Sequence, residues 1–437
     1  MFNQHCAFCR RVAMRFLVVY FSSHYVTRVT SDPKSPRKQG IQNTKKSTFS
    51  RCESYITNKV KSTHTHTCTM KSYIKILIYT CSIISIISTI KANDDPNKKK
   101  KILSFGGNGM IGSNTLETLI ATNKYDITLV SRGSWPFDTS TSIKPYVNHV
   151  FCDRDIGLEN CGTLVEDISN TTEYYAVLDF SGFLPSWIED AVKVLKGKVR
   201  VYVYVSSDSV YEVCGDGKPL GKYGKLVETD AVRPFDDNIM RNLNEKDEYG
   251  DEKLGGEEVL VNQAVMDEDG DGDSFPYVIL RYADVIGQRD ATDRFATYVM
   301  WAMLQQMPPA NPDDIPNPAP VPDLHVPNDI LERSSITYVS DATQSIISSI
   351  YMPDTWNEAY NIASAQIFNV TNAIEMIATS VYTSQYENKI NYKPKVIKVD
   401  ADDGIAMYPS VTRGPVNIEK AITKLKFRPT PMNQIIS

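Results

Sequence analysis

From Ile102 onward, short apolar runs alternate with segments of helical period, and this pattern predicts a doubly wound α/β chain. Ile102-Leu103-Ser104-Phe105 reads as a first strand, and Leu116, Leu119 and Ile120 mark the apolar face of the helix behind it. Ile127-Thr128-Leu129-Val130 reads as a second strand, Val147 to Cys152 as a third and Ala176-Val177-Leu178 as a fourth, with crossovers between them. Val199 to Val205 is nearly continuous Val and Tyr, as the middle of a parallel sheet covered on both faces requires.

Upstream the pattern is different. Residues 1–69 sustain neither an apolar period of 2 nor one of 3.6, and Thr63-His64-Thr65-His66-Thr67 has the look of low-complexity sequence. Met70, Lys71 and Lys75, the Ile-rich stretch Ile76 to Ile90, and Ala92 before Asn93-Asp94-Asp95-Pro96 form a signal-peptide layout. One reading starts translation at Met70 and sends the protein to the secretory pathway or outside the cell. The rival reading keeps the leader and makes residues 73–90 a membrane anchor, short for a span and interrupted by Lys75 and several hydroxyl residues. With cleavage, no stable membrane span is expected.

Charge sharpens this division. The 437-residue chain carries a net charge of -5, with 42% apolar and 23% charged residues, ordinary for a soluble protein. Residues 1–69 nevertheless hold 12 basic and 2 acidic groups, leaving 35 basic and 50 acidic groups downstream. An acidic body argues against nucleic acid as a partner, since phosphate neutralisation needs Lys and Arg. Five of the eight cysteines lie at or before Cys81, and Cys6-x-x-Cys9 beside His5 lacks the second ligand pair of a zinc site. A bridge between Cys152 and Cys161 is compatible with the spacing but not required by it.

The chemistry is concentrated at strand ends. Behind the first strand stands Gly106-Gly107-Asn108-Gly109-Met110-Ile111-Gly112, and the helix begins directly after it. Strand, glycine turn and helix in that order suit a dinucleotide pyrophosphate: glycine permits the tight turn and close approach, and the helix N-terminus offers free N–H groups. The second strand ends at Ser131-Arg132-Gly133, where such folds meet the adenosine ribose. An arginine there would pair with the 2′-phosphate of NADP, where an acidic residue would hold the 2′-hydroxyl of NAD, so NADP is expected and NAD is the alternative. Asp153 ends the third strand, within reach of adenine, and Phe180-Ser181-Gly182 ends the fourth. The fifth strand ends in the polar cluster Ser206-Ser207-Asp208-Ser209-Val210-Tyr211.

With Tyr249-Gly250-Asp251-Glu252-Lys253 added, the chain resembles the extended short-chain dehydrogenase/reductase family, the NAD(P)-dependent epimerases and dehydratases. Three later segments, beginning at Leu280, Tyr338 and Tyr360, are similar to further family signatures, and the resemblance runs from about Lys101 to Pro431. A second Tyr-x-x-x-Lys, Tyr55 to Lys59, sits in the leader and carries no weight. The resemblance implies a Rossmann domain over residues 98–282 and a mainly C-terminal substrate-binding lobe over 283–437. It further implies pairing, leaving open a homodimer through the Tyr249 helix and its neighbour.

In the family's chemistry Tyr249 moves a proton while hydride passes to or from the nicotinamide, Ser207 holds the substrate oxygen, and Lys253 lowers the phenol pKa and holds the nicotinamide ribose. The residue types suit these tasks, because a phenol titrating near 10 needs a neighbouring ammonium to act as a base. Departures set limits. Asp208 is followed by Ser209, which removes the second carboxylate of the dehydratases and favours epimerisation or reduction. Glu212 stands where glycine is usual, Asp284 replaces an asparagine, and Gly255-Gly256 weakens the expected helix. The acidic run 267–273 lacks a calcium loop's last ligand, because position twelve is Val278, so no metal is expected. Eight prolines in 308–328 predict an extended loop, which with Phe183-Leu184-Pro185-Ser186-Trp187 would wall the substrate.

The expected protein is an NAD(P)-dependent epimerase or oxidoreductase with a Ser-Tyr-Lys site, acting on a nucleotide sugar or similar small hydroxyl or carbonyl substrate. The alternative is a non-catalytic dinucleotide-binding sensor or RNA-associated module.

Overall fold

Each apolar strand divides its side chains between two cores. The computed structural model describes residues 98–218, 224–266, 274–306, 324–327, 333–367, 370–385, 396–399 and 411–436. The chain runs β1 (Lys100–Phe105), α1 (Met110–Ala121), β2 (Tyr125–Ser131), β3 (Asn148–Phe151), α2 (Gly162–Ser169), β4 (Ala176–Asp179), α3 (Pro185–Leu195) and β5 (Tyr202–Ser207). Then follow α4 (Asp237–Lys246), α5 (Glu248–Met266), β6 (Tyr277–Tyr282), β7 (Asp284–Ile286), α6 (Arg294–Gln306) and β8 (Leu324–Pro327). The remainder is β9 (Ile336–Tyr338), α7 (Val339–Tyr351), β10 (Glu358–Ile362), α8 (Val370–Gln385), β11 (Val396–Val399) and α9 (Glu419–Lys424).

Seven strands form one sheet in the order β3-β2-β1-β4-β5-β6-β10, every neighbouring pair parallel. This is the doubly wound Rossmann α/β arrangement, with its change of direction between β1 and β4. Successive strand residues face opposite ways. Ile102, Leu129, Val203, Val205, Val278 and Leu280 therefore join one core with Leu116 and Leu119 of α1 and Ala342 and Ile346 of α7. Leu103, Val130, Tyr202, Tyr204 and Ile279 join the other, against Leu164 of α2, Ile188 and Leu195 of α3 and Leu260 of α5. Each buried aliphatic side chain contributes about 1.5–3 kcal/mol, which outweighs the tenths that separate local propensities.

Past residue 282 the chain leaves the sheet and then returns to it. A third cluster, Ile286, Tyr298, Trp301, Ile336, Ile374 and Ile377, forms the core of the C-terminal lobe. Glu358–Ile362 nevertheless pairs with Val278–Tyr282 as the seventh strand, and α7 packs on the main sheet. Two small parallel pairs, β7 with β9 and β8 with β11, complete the described strands.

The glycine pair does not end α5, which continues to Met266. A β-carbon at Gly256 would lie 2.7 Å from the Tyr204 hydroxyl, and one at Gly255 would lie 2.6 Å from Pro185 Cγ. Close packing against β5 and α3 thus accounts for both glycines and overrides their poor helix propensity. Cys152 and Cys161 form a disulfide across a nine-residue separation, linking the end of β3 to the start of α2, while Cys214 is free and buried. No helix among the described residues is long and apolar enough to cross a membrane. The leader 1–69, the segment 70–92, Tyr55 to Lys59, the acidic run 267–273 and most of the proline-rich loop lie outside the described residues.

Candidate active site

At the carboxyl ends of β1, β4, β5 and β6 the structure opens a cleft of about 600 Å³. It is lined by Gly106, Gly109, Met110, Ile111 and Gly112 from the glycine turn and α1, Phe180 and Ser181 beyond β4, Ser207 and Asp208 at β5, and Tyr249 and Lys253 on α5. Such a crevice, where the strand order reverses, is the ligand site of open α/β sheets.

The glycine turn fits a pyrophosphate. Gly106 adopts φ 78°, which an L side chain resists. A β-carbon on Gly112 would lie 2.6 Å from the Gly107 α-carbon, so turn and helix touch backbone to backbone. No atom would crowd a β-carbon on Gly109, the residue that begins α1 without a side-chain cap. The first-turn N–H groups have no partner within the helix and suit an anionic ligand. Asn108 Nδ2 donates to the Ser134 carbonyl and ties this turn to the loop after β2.

Ser207 ends β5 with its hydroxyl donating to Ser209 Oγ at 3.2 Å and accepting from the Ser209 N–H at 3.2 Å. Its neighbours are committed elsewhere: Ser206 Oγ donates to Glu257 Oε1 at 2.6 Å, and the Tyr211 hydroxyl donates to Asn361 Oδ1 at 2.7 Å. Asp208 is buried, one oxygen unpartnered, and its carboxyl is held well above the usual range by desolvation and by the charges of Asp284 and Glu212. Glu212 accepts from the N–H groups of Thr412 and Arg413 at 2.7 and 2.8 Å, so the residue replacing the usual glycine fastens a C-terminal segment to this turn.

Tyr249 and Lys253 lie one helical turn apart on α5. Lys253 is 2% exposed and donates to the carbonyls of Gly182 and Val205, both at 2.9 Å. Burial brings its pKa down to about 8 against the opposing influence of Asp179. Tyr249 is 42% exposed and its ring centroid stands 5.9 Å from the ammonium. The expected depression of the phenol is not found. Desolvation pushes it up to about 12, the Ser207 hydroxyl opposes this, and Asp208, Asp247 and Glu252 add to the rise. The ammonium is held on backbone carbonyls.

Gly107, Gly182, Ser131, Arg132 and Asp153, also singled out in the sequence, are not among the residues that line the cleft. Gly107 is packed beneath the turn against Leu116 and Ser104. Gly182 is buried and presents its carbonyl to Lys253. Ser131 Oγ shares a hydrogen bond with His149 Nε2 at 3.0 Å, Arg132 is exposed, and Asp153 accepts from the Asp155 N–H at 3.3 Å. Phe183 lines the cleft, while Trp187 packs on it at 6.2 Å. The far wall, unread in the sequence, is Asp290, Thr292 and Arg294, with Arg294 Nη1 2.8 Å from Asp284 Oδ1. Its signal was the polar run directly after the Leu280 segment.

Residues 102–363 match the NAD dependent epimerase/dehydratase family. No curated protein matches the chain. Among solved structures, dTDP-glucose 4,6-dehydratase of Bacillus anthracis in complex with NAD is 17% identical with a TM-score of 0.53, covering 77% of this chain and 94% of that one. UDP-glucuronic acid 4-epimerase of Bacillus cereus in complex with NAD is 17% identical with a TM-score of 0.52, covering 77% and 96%. Epimerase Mth375 of Methanothermobacter thermautotrophicus is 15% identical with a TM-score of 0.52, covering 78% and 91%. At these identities the likeness is one of fold.

Proposed function

The chain belongs to the NAD dependent epimerase/dehydratase family, and from that premise we propose that its cleft takes a nicotinamide dinucleotide and a nucleotide-activated sugar, with Ser207, Tyr249 and Lys253 carrying the reaction. The single observation behind this reading is that those three side chains line one cleft together with the glycine turn. Bound there, the dinucleotide supplies a hydride acceptor and donor.

The protein's own groups manage the proton. With its pKa near 12, the Tyr249 phenol is protonated at neutral pH and acts as the acid that delivers a proton to a substrate oxygen as its carbon is reduced. Ser207 orients that oxygen, and Lys253 supports the phenolate left behind through its charge. Ser209 in place of a second carboxylate favours epimerisation or reduction over loss of water. The dTDP-glucose 4,6-dehydratase and the UDP-glucuronic acid 4-epimerase named above supply the sugar-nucleotide class by analogy alone.

Arg132, exposed at the end of β2, supports NADP within this reading, whereas the family description names NAD. The Cys152–Cys161 disulfide supports a secreted location, since such bonds persist in oxidising compartments. The test is direct. Full-chain protein should bind NADH or NADPH, read by fluorescence, and should exchange hydride with nucleotide sugars in a panel; no binding of either cofactor at millimolar concentration overturns the reading.

A further inference from the structure

Asp179 ends β4 fully buried, outside the cleft lining, and both of its carboxylate oxygens are hydrogen-bonded. Arg154 Nη1 donates to both of its oxygens at 2.9 Å. The Ser181 N–H donates to Oδ1 at 3.0 Å and the Tyr202 hydroxyl to Oδ2 at 2.5 Å. Arg154 also reaches forward, where Nη2 donates to the Trp187 carbonyl at 2.5 Å and the guanidinium lies 4.8 Å from the Phe105 ring. The ion pair therefore grips residues 180–187 at both ends. Arg154 itself stands inside the loop closed by the Cys152–Cys161 disulfide.

That gripped segment is what Lys253 is fastened to. Within it Gly182 offers a carbonyl that accepts from Lys253 Nζ at 2.9 Å and from the Tyr204 hydroxyl at 2.8 Å. Phe180, Ser181 and Phe183 line the cleft on either side. Charge points the same way. Facing the ammonium, Asp179, Glu257 and Glu252 favour its protonated form, Arg154 disfavours it, and the rings of Phe183, Tyr204 and Tyr249 surround it.

We propose that Asp179, paired with Arg154, is a positioning residue for Lys253: it fixes the turn whose Gly182 carbonyl anchors the ammonium. The proposal rests on Lys253 being the cofactor-facing lysine of the reactive set. Removing the negative charge alone and removing the positive charge alone must act on Lys253 in opposite senses. A purely structural pair would not separate them.

The experiment measures NADH and NADPH affinity by fluorescence titration of the full chain between pH 6 and 10, with turnover alongside. In the native protein affinity should weaken severalfold across a midpoint near 8, as Lys253 loses its proton. Asp179→Asn should lower that midpoint by about one unit and Arg154→Met should raise it by about one unit, in keeping with single opposed charges nearby. Midpoints that stay put, or move in the same direction in two folded variants, overturn the proposal. Should either single variant fail to fold, Asp179→Asn/Arg154→Met leaves no unpaired buried charge. Its midpoint should return near the native one while turnover falls about tenfold at every pH, and native turnover would overturn the proposal. Lys253→Met serves as the control: a midpoint that survives it removes the lysine assignment itself, not the role of Asp179.

Discussion

A β-carbon on Gly250 would stand 2.4 Å from the Ser209 carbonyl oxygen, so the start of α5 touches the turn after β5 through bare backbone. The residue after Tyr249 thereby sets the distance between the tyrosine and the serine strand end. Gly250→Ala must push α5 outward, because a carbonyl cannot yield as a flexible side chain can. We expect kcat to fall about 10–100-fold, the size of effect that a misplacement near 1 Å produces. Cofactor affinity should change far less, and steady-state kinetics beside a cofactor titration would check the split.

Tyr249→Phe removes the proposed proton donor and keeps the ring that packs at 6.4 Å from Phe183. Turnover should drop about 10²–10⁴-fold with cofactor binding retained. Function equal to the native protein's would favour the non-catalytic binding module instead.

Arg132→Ala tests the cofactor. A charge-assisted contact to the 2′-phosphate is worth roughly 1.5–3 kcal/mol, about tenfold to a hundredfold in affinity. NADPH should weaken by that factor and NADH hardly at all. An unchanged ratio of the two dissociation constants would assign the site to NAD.

Reduction of the Cys152–Cys161 bond should cost about 2–3 kcal/mol, as loop entropy predicts for a closure of this length. Denaturant midpoints with and without dithiothreitol, beside a Cys152→Ser/Cys161→Ser variant insensitive to it, would measure the effect.

Lys253 also makes stability depend on pH. Its native pKa of about 8 lies below the ordinary 10.5, so between those values the folded state binds fewer protons than the unfolded chain. Stability from this group must therefore rise as pH climbs from about 8 towards 10.5, the reverse of a lysine that gains an ion-pair partner. Comparing native protein with Lys253→Met at pH 7.5 and 9.5 by chemical denaturation isolates it, and the rise should be missing in the variant.

The legible parts were those carried by local order. Gly106 to Gly112 sits between a strand and a helix, Ser207 ends an almost unbroken Val and Tyr run, and Tyr249 and Lys253 share a helical face. Each of these can be read from neighbours a few residues away. What escaped depends on partners far apart in sequence. Arg154 finds Asp179 across 25 residues, and Glu212 finds Thr412 across 200. The Gly255-Gly256 pair misled for the same reason, since Tyr204 and Pro185 are neighbours in space only. The burial and the three carboxyl groups that raise the Tyr249 phenol likewise do not show in a four-residue spacing.

The return of β10 bears on how the chain is made. Until Glu358–Ile362 leaves the ribosome, β6 is the last strand of an unfinished sheet, and Tyr277 to Tyr282, all six buried in the finished protein, present an open apolar edge. At about 5–20 residues per second, translating the intervening stretch takes several seconds. Through that interval the nascent chain carries an edge able to template pairing with another chain. A product ending anywhere between β6 and β10 keeps that edge for good, and is the species from which aggregation during synthesis should start.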